Sequence, residues 1–196
     1  MKDLATFLIR IFLDIFYKTE IRGMENVPLE GKVIIASNHI SNIDPPAILS
    51  YINKFRNDTA VLAKKELFKN PLFGAFLRKM GAIEVDRQSA DITALKRSVK
   101  ALNEGKLLLI FPEGTRRKED KEIKPKTGIS FLAKQTKARI VPTKIVNVKN
   151  GSKLGKIIIV FDKPIDTEKY DFTDRRTFEE FPEIIMNRIY SIKIKE

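Results

Sequence analysis

The chain has 196 residues, of which 43% are hydrophobic, and this is enough for one domain with a substantial core. It contains no cysteine, which excludes disulfides and thiol nucleophiles and fits a reducing compartment. The formal net charge of +12 indicates an anionic partner, such as nucleic acid, an anionic membrane, a phosphorylated substrate or an acidic carrier protein.

Residues 1–18 are predicted to form an amphipathic helix. Its polar residues recur every three or four positions and so form one narrow stripe: Asp3, Thr6, Arg10, Asp14 and Lys18. Arg10 and Asp14 interrupt the roughly 20 apolar residues that a transmembrane helix needs, and no small-residue cleavage site of a secretory signal follows. The wide apolar arc favours a monotopic helix in a membrane interface. The alternative is a terminal helix packed on the core of its own domain.

Beyond this helix, predicted strands and helices alternate. A turn-rich linker covers residues 22–28. Strands are predicted at residues 32–36, 60–63, 82–85, 106–111, 139–148 and 156–161. Helices are predicted at residues 44–54, 70–80, 91–103, 128–136 and from about residue 174, the last interrupted near Pro182. The alternation predicts a single α/β domain over residues 19–196, with a largely parallel mixed sheet flanked by helices.

His39, the only histidine of the chain, follows the first of these strands. Sites in parallel sheets lie beyond the carboxyl ends of strands, and histidine titrates near neutral pH, so His39 is the first candidate for a general base. Asp44 comes five residues later, and a carboxylate bonded to one imidazole nitrogen makes the other a better base. Alternatively, Asp44 before Pro45 and Pro46 is an ordinary helix N-cap beside a structural histidine. The two roles of Asp44 are compatible.

A second motif, residues 111–118, follows the strongly apolar predicted strand 106–111. Gly114 permits a tight turn or a close approach of backbone to ligand. Arg116 offers a planar guanidinium suited to bidentate phosphate binding, and Glu113 is suited to bind a hydroxyl or to orient that arginine. The alternative is a charged surface loop.

In a third motif, residues 81–87, a predicted strand is followed directly by Asp86 and Arg87. Arg87 is a second candidate for phosphate binding, since His39, Arg87 and Glu113 all follow strand ends and are expected to converge. A surface arginine paired with Asp86 would give the same pattern. No metal site is expected, because one histidine without cysteine leaves only carboxylates.

Together the motifs resemble the glycerolipid acyltransferase family, specifically the 1-acyl-glycerol-3-phosphate (lysophosphatidic acid) acyltransferases. The resemblance covers about residues 20–165, with its motifs in the family's order. They are Asn38-His39 with Asp44, the segment 65–71 with Gly74, residues 81–87, the unbroken Phe-Pro-Glu-Gly-Thr-Arg of residues 111–116, residues 126–128 and residues 140–142. Because these short motifs occur together and in the family's order, chance agreement is improbable.

The resemblance implies a fold like that of glycerol-3-phosphate acyltransferase and an enzyme that uses no cofactor. It implies that His39 takes the proton of the free sn-2 hydroxyl of the lysophospholipid, that Asp44 orients His39, and that the hydroxyl attacks the acyl thioester directly. The remaining roles that it implies concern binding. The glycerol-phosphate end of the acceptor is held by Arg87, Glu113 and Arg116, with Lys65 as a further phosphate contact; Gly114 and Thr115 shape the loop; Val141 and Pro142 help to form an acyl-donor pocket.

The partners that follow are a lysophospholipid acceptor, acyl-carrier protein or acyl-CoA as donor, and an anionic membrane surface. The enzyme is expected to be peripheral on the cytoplasmic face of the cell membrane, making phosphatidic acid for phospholipid synthesis. The nine Lys/Arg against three Asp/Glu of residues 116–139 form either a solvated face or a dock for the carrier protein or coenzyme A. Nucleic acid is not expected as a partner, because this region lacks a nucleic-acid-binding signature and has few aromatic residues.

Three alternatives remain open from the sequence. In the first, the acceptor is another lysolipid or glycerol-3-phosphate. In the second, the chain is a non-catalytic protein that binds anionic lipid. The third alternative is that Ser41 serves as an acyl-enzyme nucleophile; its two-residue spacing from His39 gives no independent support for this, and the family does not use it so. Ping-pong kinetics would be the signature of that route.

Overall fold

The computed structural model describes residues 2–86, 91–117, 123–148 and 155–194. Within these ranges the strands are β1 (Glu20–Arg22), β2 (Val33–Ser37), β3 (Thr59–Lys64), β4 (Ala82–Val85), β5 (Leu107–Ile110), β6 (Arg139–Val148) and β7 (Lys156–Phe161). They form one sheet in the order β1-β7-β6-β2-β5-β3-β4. All neighbouring strands are parallel except β6 and β7, which are antiparallel. The predicted α/β fold with a largely parallel mixed sheet is therefore confirmed.

The helices in the described ranges lie between these strands and at the ends of the chain. They are α1 (Lys2–Tyr17), α2 (Asp44–Ile52), α3 (Pro71–Lys79), α4 (Ile92–Asn103), α5 (Gly128–Thr136) and α6 (Arg175–Ser191). Short 3-10 helices cover Met24–Asn26, Lys65–Phe68 and Thr167–Lys169.

The hydrophobic core lies on both faces of the sheet. Strand β2 reads Val-Ile-Ile-Ala-Ser and is buried throughout, as expected for a central strand covered on both sides. Because successive side chains point to opposite faces, Ile34 packs in one cluster with residues of α4, α5 and α6, whereas Ile35 packs in another with residues of α1 and α2.

Two local features differ from the predictions. Strand β1 (Glu20–Arg22) was not predicted and overlaps the predicted linker at Arg22 alone; it gains stability by pairing with β7 at the edge of the sheet. Helix α6 runs without interruption through Pro182. Proline removes one helical hydrogen bond, but the buried side chains of Phe181, Ile185 and Ile189 hold both halves of the helix against the core.

Helix α1 turns its polar stripe, and not its apolar arc, toward the domain. Thr6 is only 3% exposed, Arg10 Nη1 donates to the Ser50 carbonyl at 3.2 Å, and the Tyr51 hydroxyl donates to Asp14. The apolar side chains around the rest of the helix are exposed: Leu4, Phe7, Leu8, Ile11, Phe12, Ile15 and Phe16. Leu13 is fully buried among residues of α2 and the sheet, and Ile9 and Tyr17 are partly buried against the same cluster. No helix among the described residues is long and apolar enough to cross a membrane.

Candidate active site

The site lies where β2 and β5, which are adjacent and parallel, end at the same edge of the sheet. Ala36 pairs in register with Ile110, so the residues that follow the two strands emerge side by side. The backbone N–H of His39 donates to Glu113 Oε2 at 3.0 Å. The predicted convergence of His39 and Glu113 is thus present in the structure.

Asp44 holds the His39 imidazole. Asp44 Oδ2 lies 2.8 Å from His39 Nδ1 and accepts the backbone N–H groups of Ile40 and Ser41, each at 2.7 Å. A carboxylate that accepts two N–H groups is an acceptor only, so Nδ1 carries the proton and donates to it. Both side chains are buried, with His39 4% and Asp44 1% exposed. The geometry is that of a base and its orienting carboxylate.

Asp44 is not the N-cap of α2. It is the first residue of the helix, the cap position is Ile43, and no side chain caps this end. The carboxylate turns back to the loop instead, where it closes the chain around His39. Pro45 and Pro46 fit this arrangement because N–H groups in the first turn of a helix have no intrahelical partner.

The Nε2 atom of the His39 imidazole is the ring nitrogen left without a hydrogen bond among the described residues. The ring stacks on Phe111, with 4.1 Å between ring centroids and 23° between planes. No described residue forms a hydrogen bond with Nε2, which carries the lone pair when Nδ1 is protonated. Nε2 is therefore the atom that can accept a proton from a bound hydroxyl.

Asn38 fixes the loop that carries His39. Its side chain donates to the Ile145 carbonyl and accepts the Ile145 N–H, both at 2.9 Å. This reciprocal pair continues the attachment of β2 to β6 after their ladder ends at Ser37. Asn38 is therefore a structural residue of the site, and the resemblance alone did not specify that role.

Glu113 is buried between His39 and the C-terminal helix. Its Oε1 accepts the Tyr190 hydroxyl at 2.6 Å, and its Oε2 accepts the His39 N–H, so both oxygens bond to the protein. Burial and the bond to Glu113 raise the pKa of Tyr190 to about 12. Arg117 completes the group: its N–H donates to the His39 carbonyl at 2.8 Å and its guanidinium lies 4.9 Å from the Tyr190 ring centroid. These contacts give Glu113 a positioning role, and its expected contact with the acceptor stays a prediction.

Tyr190 was absent from the sequence analysis. It lies 77 residues beyond Glu113, in a helix whose local pattern indicates only which side faces the core. Its hydroxyl reaches the site because the end of α6 is fastened to β6, where Lys144 Nζ donates to the Tyr190 carbonyl at 3.0 Å. No local signal in the sequence reports that contact.

The residues expected to bind the acceptor phosphate do not converge in the described structure as His39 and Glu113 do. Arg116 and Thr115 are exposed on the loop, and the Arg116 side chain makes no hydrogen bond or ion pair with a described residue. Lys65 is paired with Asp86, which joins the end of β3 to the end of β4. Arg87 lies outside the described residues. Gly114 has φ of +68°, in the left-handed region of backbone conformation that favours glycine.

A cavity of about 490 Å³ opens beside the loop. It is lined by Phe111, Pro112, Gly114 and Lys126 and by apolar side chains of α4 and α5. Val141 and Pro142 are elsewhere, buried within β6 in register with Ile35 and Ala36. Their expected part in an acyl-donor pocket stays a prediction.

Comparison with known proteins identifies the family. The family model described as Acyltransferase matches residues 18–146. The chain belongs to the acyltransferase family. It is 31% identical over 160 residues to the 1-acyl-sn-glycerol-3-phosphate acyltransferase of Bacillus subtilis (strain 168), a match that covers 80% of this chain and 78% of that protein. The predicted family and the prediction of an acyltransferase enzyme are confirmed.

Two further acyltransferases extend the comparison. The 1-acyl-sn-glycerol-3-phosphate acyltransferase of Borreliella burgdorferi is 35% identical over 135 residues, which are 68% of this chain and 53% of that protein. The chain thus spans about half the length of this relative. The crystal structure of the 1-acyl-sn-glycerophosphate (LPA) acyltransferase PlsC from Thermotoga maritima superposes with a TM-score of 0.72 at 22% identity, covering 99% of this chain and 83% of that one. This likeness shows that the two share a fold.

Proposed function

We propose that this acyltransferase moves a fatty acyl chain from a thioester donor to the free sn-2 hydroxyl of 1-acyl-glycerol-3-phosphate, which gives phosphatidic acid. The observation that carries the proposal is the buried 2.8 Å contact between His39 Nδ1 and Asp44 Oδ2, in a chain with no other histidine and no cysteine. The choice of acceptor is supported by the Bacillus and Borreliella relatives, which are named for it.

The proposed reaction is a direct transfer. His39 Nε2 takes the proton of the acceptor hydroxyl as its oxygen attacks the thioester carbonyl carbon. The new C–O bond forms, the C–S bond breaks, and the leaving thiolate takes the proton from the imidazolium. Asp44 stabilises the imidazolium while it is charged. Because a thioester is already activated, a base and correct positioning suffice.

We propose that the acceptor phosphate binds at the ends of β4 and β5. Arg116, exposed and without an ion-pair partner among the described residues, is the first candidate, and a planar guanidinium suits a phosphomonoester. Arg87 is a candidate from sequence alone. Lys65 is already paired with Asp86, so a contact with phosphate would have to be shared with that carboxylate or exchanged for it.

The contacts of Ser41 argue against an acyl-enzyme. Its N–H donates to Asp44, and its hydroxyl accepts the Ile43 N–H at 3.3 Å. No hydrogen bond joins the Ser41 hydroxyl to His39 among the described residues, so nothing there activates it as a nucleophile. We therefore expect kinetics that require a ternary complex.

The donor is proposed to be acyl-carrier protein or acyl-CoA, with no other cofactor. Both are anionic, which suits the basic residues that follow the Glu113 loop. The protein is proposed to be peripheral on the cytoplasmic face of the cell membrane, with the exposed apolar arc of α1 in the bilayer interface.

The test is acyl transfer by the purified chain. Lysophosphatidic acid is offered with acyl-CoA or acyl-carrier protein, and release of the free thiol is followed. His39→Ala is expected to lower the rate by roughly 10²–10⁴-fold while binding to vesicles persists. Retained transfer in that variant would overturn the mechanism, and transfer only to another lysolipid or to glycerol-3-phosphate would correct the acceptor.

A further inference from the structure

Helix α3 is largely exposed. Of its nine residues only Gly74 is buried, and Leu72 is 84% exposed. Phe73 and Phe76 are also exposed and their rings stack on each other with 6.2 Å between centroids. Large apolar side chains standing out of a surface helix mark a surface that contacts an apolar partner.

The apolar side of α3 points away from the protein. A Cβ on Gly74 would lie 3.1 Å from the Phe68 carbonyl, so this position faces the short helix beneath. Arg78 lies over the Phe68 ring on the same side, at 4.9 Å from its centroid. Residues two apart on an α-helix point about 200° apart, so Leu72 and Phe76 project outward. Asn70 fixes the helix start by accepting the Phe73 N–H at 3.0 Å.

Helix α3 lies on the same face of the sheet as α1. Connections between parallel strands of one sheet are right-handed. The connections β2-α2-β3 and β3-α3-β4 step in the same direction along the sheet order, so α3 and α2 cover the same face. Helix α1 packs on α2, and its exposed apolar arc is on that face too.

Exposed apolar residues also lie at one edge of the sheet, the edge that carries His39. Helix α3 begins shortly after the carboxyl end of β3, so Leu72 and Phe73 lie at the edge of the sheet where β2 delivers His39. Ile40, the residue after His39, is 39% exposed. Apolar side chains therefore stand on both α1 and α3, and one stands at the catalytic loop.

The charge around α3 is positive. Residues 64–79 contain five Lys/Arg and one Asp/Glu. Lys64 and Lys69 are exposed and form no ion pair with a described residue. Lysines beside exposed aliphatic and aromatic side chains complement a surface that is anionic outside and apolar beneath, which is an anionic bilayer.

We infer that α3, with Leu72 and Phe76, is a second contact with an anionic bilayer, separate from α1. The inference rests on the proposed function in that a lysolipid acceptor has to be drawn from a bilayer. Two contacts on one face fix the orientation of the domain, which α1 alone would leave free to rotate. The carboxyl edge of the sheet, with His39, is thereby held against the lipid surface.

The direct test uses fluorescence, since the chain contains no tryptophan. The full chain carrying Leu72→Trp is mixed with vesicles of equal parts phosphatidylglycerol and phosphatidylcholine. The emission is expected to shift to the blue and to be quenched by lipids with brominated acyl chains. Ile92→Trp is the matched control, because Ile92 is 62% exposed on α4, which packs on the opposite face. Vesicle-bound protein with unchanged L72W emission would overturn the inference.

A second test measures binding. Leu72→Ser with Phe76→Ser is expected to lower partitioning onto these vesicles by roughly tenfold or more, since two apolar side chains lose their burial. Ile92→Ser is expected to leave it unchanged. A double variant that binds vesicles as the wild type does, but no longer binds acyl-carrier protein, would overturn the inference in favour of a protein dock.

The two proposals fail separately. If the L72W chain shows the vesicle signals while the wild type releases no thiol with any donor, the α3 contact is supported and the proposed function is removed. Chain that transfers acyl groups, with an L72W signal that does not respond to vesicles, removes the α3 contact and leaves the function.

Discussion

At the scale of single residues, Asp44 uses one oxygen both to bond the imidazole of the proposed base and to hold the local backbone. Its Oδ2 fixes the His39 tautomer and also accepts two N–H groups of the loop. Glu113 likewise bonds the His39 backbone on one oxygen and Tyr190 on the other. The position of the base is therefore set by two buried carboxylates, one on its ring and one on its backbone.

Asp44→Asn is expected to lower kcat by roughly 10²–10⁴-fold, because a neutral amide no longer fixes the tautomer or stabilises the imidazolium. Steady-state thiol release measures it. Asp166→Asn is the control: Asp166 is an exposed N-cap that accepts the Glu168 N–H at 3.1 Å, and asparagine caps equally well. Equal activity of D44N and wild type would remove Asp44 from the mechanism.

Tyr190→Phe is expected to lower kcat by roughly tenfold with KM little changed, because a loosened Glu113 lets the His39 backbone shift. It should also cost about 1–3 kcal/mol of unfolding free energy, since a buried carboxylate oxygen loses its donor. With its pKa raised to about 12, the Tyr190 hydroxyl keeps its proton at neutral and mildly basic pH, so the effect should persist there.

Tyr170→Phe controls for the loss of a phenolic hydroxyl, because the Tyr170 hydroxyl donates no hydrogen bond within the described ranges, while its ring packs on Phe172 and Phe181. If Y190F matched the wild type in kcat and in the free energy of unfolding, the positioning role would be refuted.

At the scale of elements, α1 is held by its polar residues and by Leu13, with Ile9 and Tyr17 packed beside it. Leu13 is fully buried, whereas Leu8 and Ile15 are exposed. Helix α1 therefore packs on the core of its own domain, as the alternative expected, but most of its apolar arc stays on the outside, as the interfacial helix expected. Attachment to the domain and the proposed contact with a membrane therefore depend on different side chains of the same helix.

Substitutions on the two sides of α1 should separate these roles. Leu13→Ala is expected to cost about 2–5 kcal/mol of unfolding free energy, because it leaves a cavity in the core. Leu8→Ser with Ile15→Ser is expected to leave the free energy of unfolding nearly unchanged and to weaken vesicle binding severalfold. Denaturant unfolding and vesicle co-sedimentation measure the two effects. If the double variant L8S/I15S binds vesicles as the wild type does, the interfacial role of α1 is contradicted.

At the scale of the whole molecule, the net charge of +12 adds a long-range attraction to anionic lipids and donors. This attraction is screened by salt, whereas burial of apolar side chains is not. The two contributions to membrane binding can therefore be told apart by ionic strength.

Raising the salt concentration is expected to weaken binding to vesicles that contain phosphatidylglycerol and to leave binding to pure phosphatidylcholine vesicles nearly constant. Co-sedimentation across a salt series measures both. If salt changed binding to neither kind of vesicle, the positive charge would serve something other than the membrane.

Sequence alone determined the elements and the ends of the strands. Alternating strands and helices predicted the sheet, and the boundaries at His39 and Glu113 predicted their convergence, because parallel strands deliver their carboxyl ends to one edge. These inferences succeed because apolar periodicity is a local property of the chain. The role of Arg87, expected from its position after a strand end and from the resemblance, and those of Val141 and Pro142, expected from the resemblance alone, stay predictions.

Only the tertiary structure decided which surfaces meet. Asn38 bonds Ile145, 107 residues away, and Glu113 bonds Tyr190 in a helix beyond the matched family region. The orientation of α1 was likewise undetermined, since a narrow polar stripe indicates an amphipathic helix but not which side meets the protein. Such contacts depend on the packing of elements that are distant in the chain, and this packing cannot be predicted from a pattern of adjacent residues.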